Sequence, residues 1–185
     1  MALTKTPVCD FGKKAEDFKL KSINNKLISL DKIKGEKATL VMFICNHCPY
    51  VKAIIKDLAK DCSELKKEGI NSVAIMSNDT NNFPEDSFEN MIKFAKSNDF
   101  GETNYLIDET QEIAKKYGAV CTPDFFGYNE DLELQYRGRY KELKDLKPIN
   151  NSDSDLKIAM KMIGQTQKGP DKQIPGMGCN IKWFD

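Results

Sequence analysis

The feature that most constrains the fold is an unbroken apolar segment followed at once by a helix with one apolar face. Residues 38–45, ATLVMFIC, form a run of strand length, typical of a central strand covered on both faces. Over residues 49–66, apolar side chains recur at the helical period and lysine and aspartate occupy the other face. The apolar positions are Val51, Ile54, Ile55, Leu58, Cys62 and Leu65. The pair predicts a buried strand with a helix packed on its sheet.

Strand-like and helix-like segments alternate along most of the remaining chain. Strands are predicted at 70–77 and 104–108, and an antiparallel hairpin at 124–129 and 132–138. A helix near 85–97 has an apolar stripe of Phe88, Met91, Ile92 and Ala95. Asp108 and Gln111 resemble a capping box that opens a helix ending at Gly118. The last predicted helix has Leu156, Ala159, Met160 and Ile163 on one side and ends at Gly164.

This order of elements predicts a thioredoxin-like three-layer α/β/α sandwich, with an N-terminal β-hairpin extension. The chain has 185 residues, 40% of them hydrophobic, and no linker-like stretch, so residues 1–185 are expected to form one domain. Residues 165–185 form a tail that ends in GCNIKWFD. We expect this tail to dock on the domain, with Ile181 and Trp183 as its anchors.

Charge and cysteine content narrow the possible environments and partners. Lys and Arg number 28, and so do Asp and Glu, and the charges are interspersed, which disfavours nucleic acid as a partner. The sequence has no secretory leader and no apolar stretch that would span a membrane, so we expect a cytoplasmic protein without membrane contact. In a reducing compartment, closely spaced cysteines favour exchange chemistry or metal binding over a structural disulfide framework. We expect no bound nicotinamide or flavin, because the GxGxxG fingerprint is lacking.

Two cysteines and the single histidine lie together where the apolar strand gives way to the helix: Cys45, His47 and Cys48. Pro49 marks the first helical position, so Cys48 is expected at the helix N-terminus. There the backbone N–H groups and the helix dipole stabilise a thiolate, which lowers the pKa below the free value of about 8.5. Cys45 lies three residues earlier, and a turn brings such Cα atoms within about 7 Å, compatible with a disulfide.

Several segments resemble the redoxins of the AhpC/TSA family, in their peroxiredoxin-like branch of the thioredoxin fold. They are GKKAEDFKLKSINNKLISLDKIKGEKATLVMFI, CNHCPYVKA, YGAVCTPDFF and GCNIKW, and they occur in the family's order. The resemblance implies a thiol-dependent oxidoreductase that reduces a disulfide or a hydroperoxide. It also implies an external dithiol reductant, such as a thioredoxin, as partner.

The alignment of the cysteines with this family has two solutions, and they assign different roles. With Phe43 aligned on the family's aromatic residue, Cys48 is the nucleophile, Val51 has the usual resolving position and Cys45 is an alternative resolver. With the CxxC aligned on itself, Cys45 attacks and Cys48 resolves, or Cys48 is peroxidatic and Cys45 replaces a threonine. We favour Cys48, because Pro49 fixes it at the helix end.

The segment CTPDFF provides the second half of the candidate site. By resemblance, the Thr122–Pro123 bond is expected to be cis and to place a substrate strand beside the thiol. Cys121 is a candidate further resolving thiol, although a buried structural role is equally compatible with the sequence. Peroxiredoxins have an arginine near this position that this chain lacks, which implies weak peroxidase activity unless Arg137 or Arg139 reaches the pocket.

The resulting hypothesis is a dithiol cycle in which Cys48 attacks and Cys45 resolves, with Cys121, Thr122 and Pro123 completing the site. Two alternatives are a copper or zinc site, which would add His47 and a further cysteine, and a non-catalytic peptide-binding adaptor. His47 is a candidate base, or a solvated loop residue. Cys62 is expected in the core, Cys9 is expected to be exposed in the N-terminal arm, and Cys179 is a further candidate resolver.

Overall fold

The protein is described by a computed structural model over residues 3–7 and 11–184. A seven-stranded mixed sheet, in the order β3-β2-β6-β5-β4-β8-β9, forms its centre. The strands are β1 (Leu3–Lys5), β2 (Lys19–Ser22), β3 (Leu27–Ser29), β4 (Ala38–Phe43), β5 (Ile70–Met76), β6 (Asn104–Ile107), β7 (Cys121–Thr122), β8 (Asp124–Asn129), β9 (Leu134–Tyr136), β10 (Leu143–Lys144), β11 (Lys147–Pro148) and β12 (Met177–Asn180). The helices are α1 (Leu30–Ile33), α2 (Pro49–Lys67), α3 (Phe88–Ser97), α4 (Glu112–Tyr117) and α5 (Asp155–Thr166), and Pro84–Asp86 forms a 3-10 turn.

The continuous apolar run becomes the middle of this sheet. β4 is parallel to β5 and antiparallel to β8, and every one of its residues is buried. Leu40 and Met42 face α2, α3 and α5, while Val41 and Phe43 face α1 and α4. Because alternate side chains of a strand point to opposite faces, a strand buried on both faces has to be apolar throughout. The predicted three-layer sandwich is confirmed.

The predicted N-terminal hairpin is also present. β2 and β3 pair antiparallel, and β2 continues onto β6 at the edge of the central sheet. The turn between them has Asn25 in the left-handed region, with φ of 60°. Asparagine tolerates this conformation better than most residues, which explains how the turn forms without glycine.

Two predicted helix boundaries are wrong. Asp108 and Gln111 do not form a capping box: α4 begins at Glu112, and the Asp108 carboxylate accepts the N–H of Ala114 from outside the helix. The predicted end of the last helix at Gly164 is also wrong, because α5 runs on to Thr166. A Cβ at Gly164 would lie 2.9 Å from Ile70 Cδ1, so this glycine allows close packing on β5.

Other predictions need smaller corrections. The helix predicted near 85–97 begins only at Phe88, after the 3-10 turn Pro84–Asp86, and Ile92, which is predicted on its apolar stripe, is 39% exposed. The stripes predicted for α2 and α5 are buried throughout. The prediction for Cys9 concerns a position outside the described residues. Within the described residues, no helix combines the length and apolarity that a bilayer span requires.

The C-terminal tail lies against the domain through a second sheet. β12 is the middle strand of this three-stranded sheet and pairs antiparallel with β1 and β7. Ile181 is buried and donates its N–H to the Val120 carbonyl. The Gln111 side chain donates to the carbonyl of Lys182 and accepts the N–H of Phe184. The tail docks through Ile181 as predicted, but Trp183, the second predicted anchor, is 38% exposed. Gln111 holds the tail in place of capping α4.

Candidate active site

The strand-to-helix turn places Cys48 at the N-terminus of α2. β4 ends at Phe43, and Cys48 is the extended residue directly before Pro49, the first residue of the helix. Proline fits this position because its missing N–H would have no partner in the first turn. The Cys48 sulfur therefore lies over the free N–H groups of a 19-residue helix.

The Cys48 sulfur has close polar neighbours. It lies 3.1 Å from the carbonyl oxygen of Thr122 and 3.2 Å from the sulfur of Cys179. The pKa of Cys48 is lowered to about 5, first by a hydrogen bond from the Cys45 thiol, and then by the backbone N–H of Val51 and the Cys179 thiol. Burial opposes this shift but is outweighed. These donors favour the thiolate form of Cys48, whereas the Thr122 carbonyl oxygen can accept a hydrogen bond only from its protonated form.

Cys45 is the protonated member of the pair. Its pKa is raised well above the usual value, first by its hydrogen bond to Cys48, then by burial and by the negative charge of Asp86. Its sulfur lies 3.2 Å from the hydroxyl oxygen of Thr122. Thr122 therefore contacts both cysteines of the CxxC, Cys45 through its side chain and Cys48 through its carbonyl.

His47 is held by a buried carboxylate that sequence reasoning missed. Its Nδ1 lies 2.7 Å from Oδ2 of Asp86, and its ring stacks on Phe83. The same carboxylate accepts the N–H groups of Asn46 and His47 and the side-chain amide of Asn78. Asp86 raises the pKa of His47, so the imidazole is held in the loop and is not simply solvated.

Burial raises the pKa of Asp86, but hydrogen bonds from His47 and Asn78 outweigh it and leave the pKa below the usual value. Asp86 belongs to the 3-10 turn after β5, about 40 residues along the chain from the CxxC. The sequence around Asp86 offers one signal, Pro84 in the same turn. Pro84 predicts a turn, but it does not indicate that Asp86 lies near the cysteines.

The tail contributes a third sulfur to the site. β12 pairs with β7 so that Cys179 stands opposite Thr122, with its side chain toward Cys48. Burial, followed by hydrogen bonding to Cys48, raises the pKa of Cys179 to about 12. Cys48 itself has no exposed surface, and this contact is part of its burial. The candidate nucleophile is therefore buried at the edge of the hydrophobic cluster, where it contacts the Thr122 carbonyl and the Cys179 sulfur.

A pocket of about 600 Å³ lies beside Pro123. The bond between Thr122 and Pro123 is cis, as the resemblance implied. Aromatic and aliphatic side chains line much of the pocket, and three cationic groups, Lys5, Arg139 and Lys141, are also part of its wall. Its apolar wall includes Tyr50, Ile54, Phe125, Tyr140, Ile174 and Met177.

The other cysteines of the described chain are less suited to exchange. Cys62 is in the core, as predicted, and burial raises its pKa to about 12. Cys121 is also buried, and burial, together with the charge of Asp124, raises its pKa further. Its sulfur lies 3.5 Å from the carbonyl oxygen of Pro123.

The two arginines considered as substitutes for a peroxidatic arginine have other partners. Arg137 pairs with Asp124 at 2.9 Å, donates to the Gly118 carbonyl and lies over the ring of Phe126. Arg139 pairs with Asp155 and Glu142 while lining the pocket beside Pro123.

One group of side chains has the spacing of a metal site. One ligand atom each from Cys45, His47 and Asp86 lies within 4.8 Å of the others. Sulfur, imidazole and carboxylate are all zinc ligands. Asp86, however, already accepts four hydrogen bonds, so a metal ion would have to displace some of these donors.

The sequence matches the model of the AhpC/TSA family over residues 11–140, which is more than half of the chain. The chain belongs to the AhpC/TSA family. The matched segment contains the CxxC, Asp86 and Pro123 but ends before β12. A comparison with curated protein sequences found no significant match.

Two solved structures resemble this AhpC/TSA-family chain over nearly its whole length. An uncharacterized conserved protein from Geobacillus kaustophilus is 37% identical, with a TM-score of 0.94, and the match covers 100% of this chain and 97% of that one. A hypothetical protein from Sinorhizobium meliloti 1021 is also 37% identical, with a TM-score of 0.90 and 98% of both chains covered.

A thioredoxin domain of a thiol-disulfide oxidoreductase from Bacteroides vulgatus shares the fold at 16% identity. Its TM-score is 0.59, and the match covers 70% of this chain and 89% of that one. The predicted thioredoxin-like fold is thereby confirmed.

Proposed function

We propose that the protein is a thiol-disulfide oxidoreductase in which Cys48 is the nucleophile. The observation that carries this proposal is the position of Cys48 directly before the first residue of α2, where its pKa is lowered while the pKa of neighbouring Cys45 is raised. A thiolate is the attacking species in exchange, and a nearby thiol can resolve the mixed disulfide that it forms. The opposite shifts of the two pKa values favour Cys48 over Cys45 as the attacking group.

In the proposed cycle, the Cys48 thiolate attacks one sulfur of a substrate disulfide, and the first substrate thiol leaves with a proton. Cys45 then loses its proton and attacks the Cys48 sulfur, which releases the second substrate thiol and leaves a Cys45–Cys48 disulfide. Two electrons pass from the protein to the substrate. An external dithiol, such as a reduced thioredoxin, returns the protein to its starting state.

The pocket beside Pro123 favours a peptide disulfide as substrate. The apolar and aromatic side chains of this pocket are suited to a substrate side chain that flanks the disulfide. Reduction of hydroperoxides is the slower activity in this proposal, because Arg137 is bound to Asp124 and a peroxidatic arginine would have to contact the thiolate. We also propose a cytoplasmic location, where thioredoxin-like dithiols are reduced.

The test compares turnover of a peptide disulfide and of a hydroperoxide, each with an external dithiol as reductant. Cys48→Ser should reduce both rates to the uncatalysed background, and Cys45→Ser should slow both. Cys62→Ser is the matched control, a buried cysteine outside the site, and should leave both rates unchanged. Full turnover by Cys48→Ser, with turnover lost in Cys45→Ser, would contradict the assignment.

A metal site is the second candidate function, favoured by the spacing of Cys45, His47 and Asp86. Metal analysis of protein purified without chelator distinguishes the two. Stoichiometric zinc or copper that is lost in Cys45→Ser would support this candidate, whereas metal-free protein that loses two thiols reversibly on mild oxidation would support the oxidoreductase. A peptide-binding adaptor would show neither result.

A further inference from the structure

The C-terminal strand closes the site, and a sulfur of that strand touches the nucleophile. β12 lies between β1 and β7, and its Cys179 sulfur is 3.2 Å from the Cys48 sulfur, although the two residues are 131 positions apart. Cys48 has no exposed surface, and Cys179 is 5% exposed. A substrate disulfide therefore reaches Cys48 only after a covering segment moves, and β12 is one of the segments in contact with its sulfur.

We propose that β12 is a lid over Cys48 and that Cys179 is its latch, forming a disulfide with Cys48 that closes the lid covalently. This inference rests on the proposed function, because it uses Cys48 as the attacking thiol. It adds a second resolving sulfur and couples the oxidation state of the site to the position of the tail.

The chemistry parallels resolution by Cys45. With the lid open, the Cys48 thiolate attacks a substrate disulfide, and one substrate thiol leaves with a proton. When β12 returns, Cys179 loses its proton and attacks the Cys48 sulfur, so that the Cys48–Cys179 bond forms and the second substrate thiol leaves. The substrate gains two electrons, the two cysteines lose two, and Cys45 stays a thiol.

A glycine allows the close approach on which the latch depends. A Cβ at Gly178 would lie 2.2 Å from the carbonyl oxygen of Thr122, 2.7 Å from its carbonyl carbon and 3.1 Å from the nitrogen of Pro123. All three atoms belong to the backbone, which cannot rotate away as a side chain can. Alanine at this position would lift β12 from Thr122 and carry Cys179 away from Cys48.

The first experiment uses full-length protein in which Cys45→Ala removes the competing resolver, with oxidised glutathione as the substrate. We expect glutathione to be released and peptide mass mapping to find a Cys48–Cys179 cross-link. When Cys179→Ser is added, the glutathione adduct on Cys48 should persist. A stable Cys48–glutathione adduct beside a free Cys179 would overturn the latch. Absence of both adduct and cross-link in every variant would overturn the proposed function itself.

The second experiment tests the lid in reduced protein, by the rate at which iodoacetamide labels Cys48. Gly178→Ala should speed the labelling by about 10-fold or more, because a local opening that is needed for access becomes easier. Gly101→Ala is the matched control, since a Cβ there has nothing within 4 Å. Equal rates in wild type and both variants, with unchanged circular dichroism, would overturn the lid.

Discussion

The protonation of His47, the single histidine, affects the stability of the loop between β4 and α2. Because Asp86 raises the pKa of His47, the protonated imidazole is favoured in the folded protein. The stabilisation from this pair is fully present below the pKa of His47 in the unfolded chain and is lost as the pH rises through the higher folded pKa. The buried Asp86 thus makes the stability of the loop depend on pH.

We predict that an NMR titration of the His47 ring gives a pKa above its ordinary value of about 6.5. His47 is the one histidine of the chain, so its signals need no further assignment. Asp86→Asn should lower this pKa, because the negative partner is removed while the burial, which also lowers the pKa, remains. Glu85→Gln, an exposed neighbouring carboxylate, is the control. A wild-type pKa at or below the ordinary value would contradict this prediction.

Sequence reasoning predicts the residues whose roles depend on local structure. Pro49 indicates the helix start, and that start places Cys48 over the free N–H groups of α2. Asp86 is missed, and Cys179 is named only as one of several candidate resolvers, because their contacts with the CxxC arise from tertiary packing between distant segments. The spacing of residues along a single sequence does not predict a contact between such distant segments.

The contact between α2 and α5 depends on a buried polar cluster. Asp61 on α2 accepts the hydroxyl groups of Tyr140 at 2.8 Å and Ser154 at 2.7 Å, and lies 3.4 Å from the ammonium of Lys157. Ser154 also caps α5 by accepting the N–H of Lys157. One carboxylate therefore fixes the start of α5 against α2, the helix that carries the site.

We predict that Asp61→Ala lowers the free energy of unfolding by about 3 kcal/mol, since it leaves two buried hydroxyl groups and a buried cation without this partner. Lys60→Ala is the matched control on the same helix. Its side chain is 76% exposed and 4.0 Å from Glu64, so its loss should cost less than about 0.5 kcal/mol. Urea denaturation of the two variants provides the measurement, and similar losses would contradict the role of the cluster.

Hydrophobic periodicity predicts the helices and central strands because burial on a sheet imposes the period. Helix boundaries are predicted less well where a residue type has more than one structural role, as glycine does. Gly118 ends α4 in the left-handed conformation, as expected, while Gly164 lies inside α5, where its missing side chain makes room for Ile70. Which use applies depends on the neighbouring element.

The whole chain is expected to fold as one unit, with the tail as an integral part of it. β12 pairs with β1 near the N-terminus and with β7 from the interior of the sequence, and the Gln111 side chain makes two hydrogen bonds to the tail. The sequence predicts that the tail docks, but its apolar residues alone do not specify its place, which is set by pairing with β1 and β7.

We predict a single cooperative transition in urea for the reduced protein. Trp183, the one tryptophan, follows the tail by fluorescence, and far-ultraviolet circular dichroism follows the helices and sheet. Coincident midpoints are expected for one cooperative domain. A tryptophan transition at clearly lower urea would show that the tail separates first, and would contradict a single unit.

The most direct test of the account is the ionisation of Cys48 itself. Thiolate absorbance in the ultraviolet, measured against pH for wild type and Cys48→Ser, isolates this sulfur by difference and does not require the lid to open. The account predicts one thiolate with a pKa of about 5, and a higher pKa for Cys48 in Cys45→Ala, where the first cause of the shift is removed. A difference signal that appears only near the ordinary thiol value of about 8.5 would show that Cys48 is not the activated nucleophile.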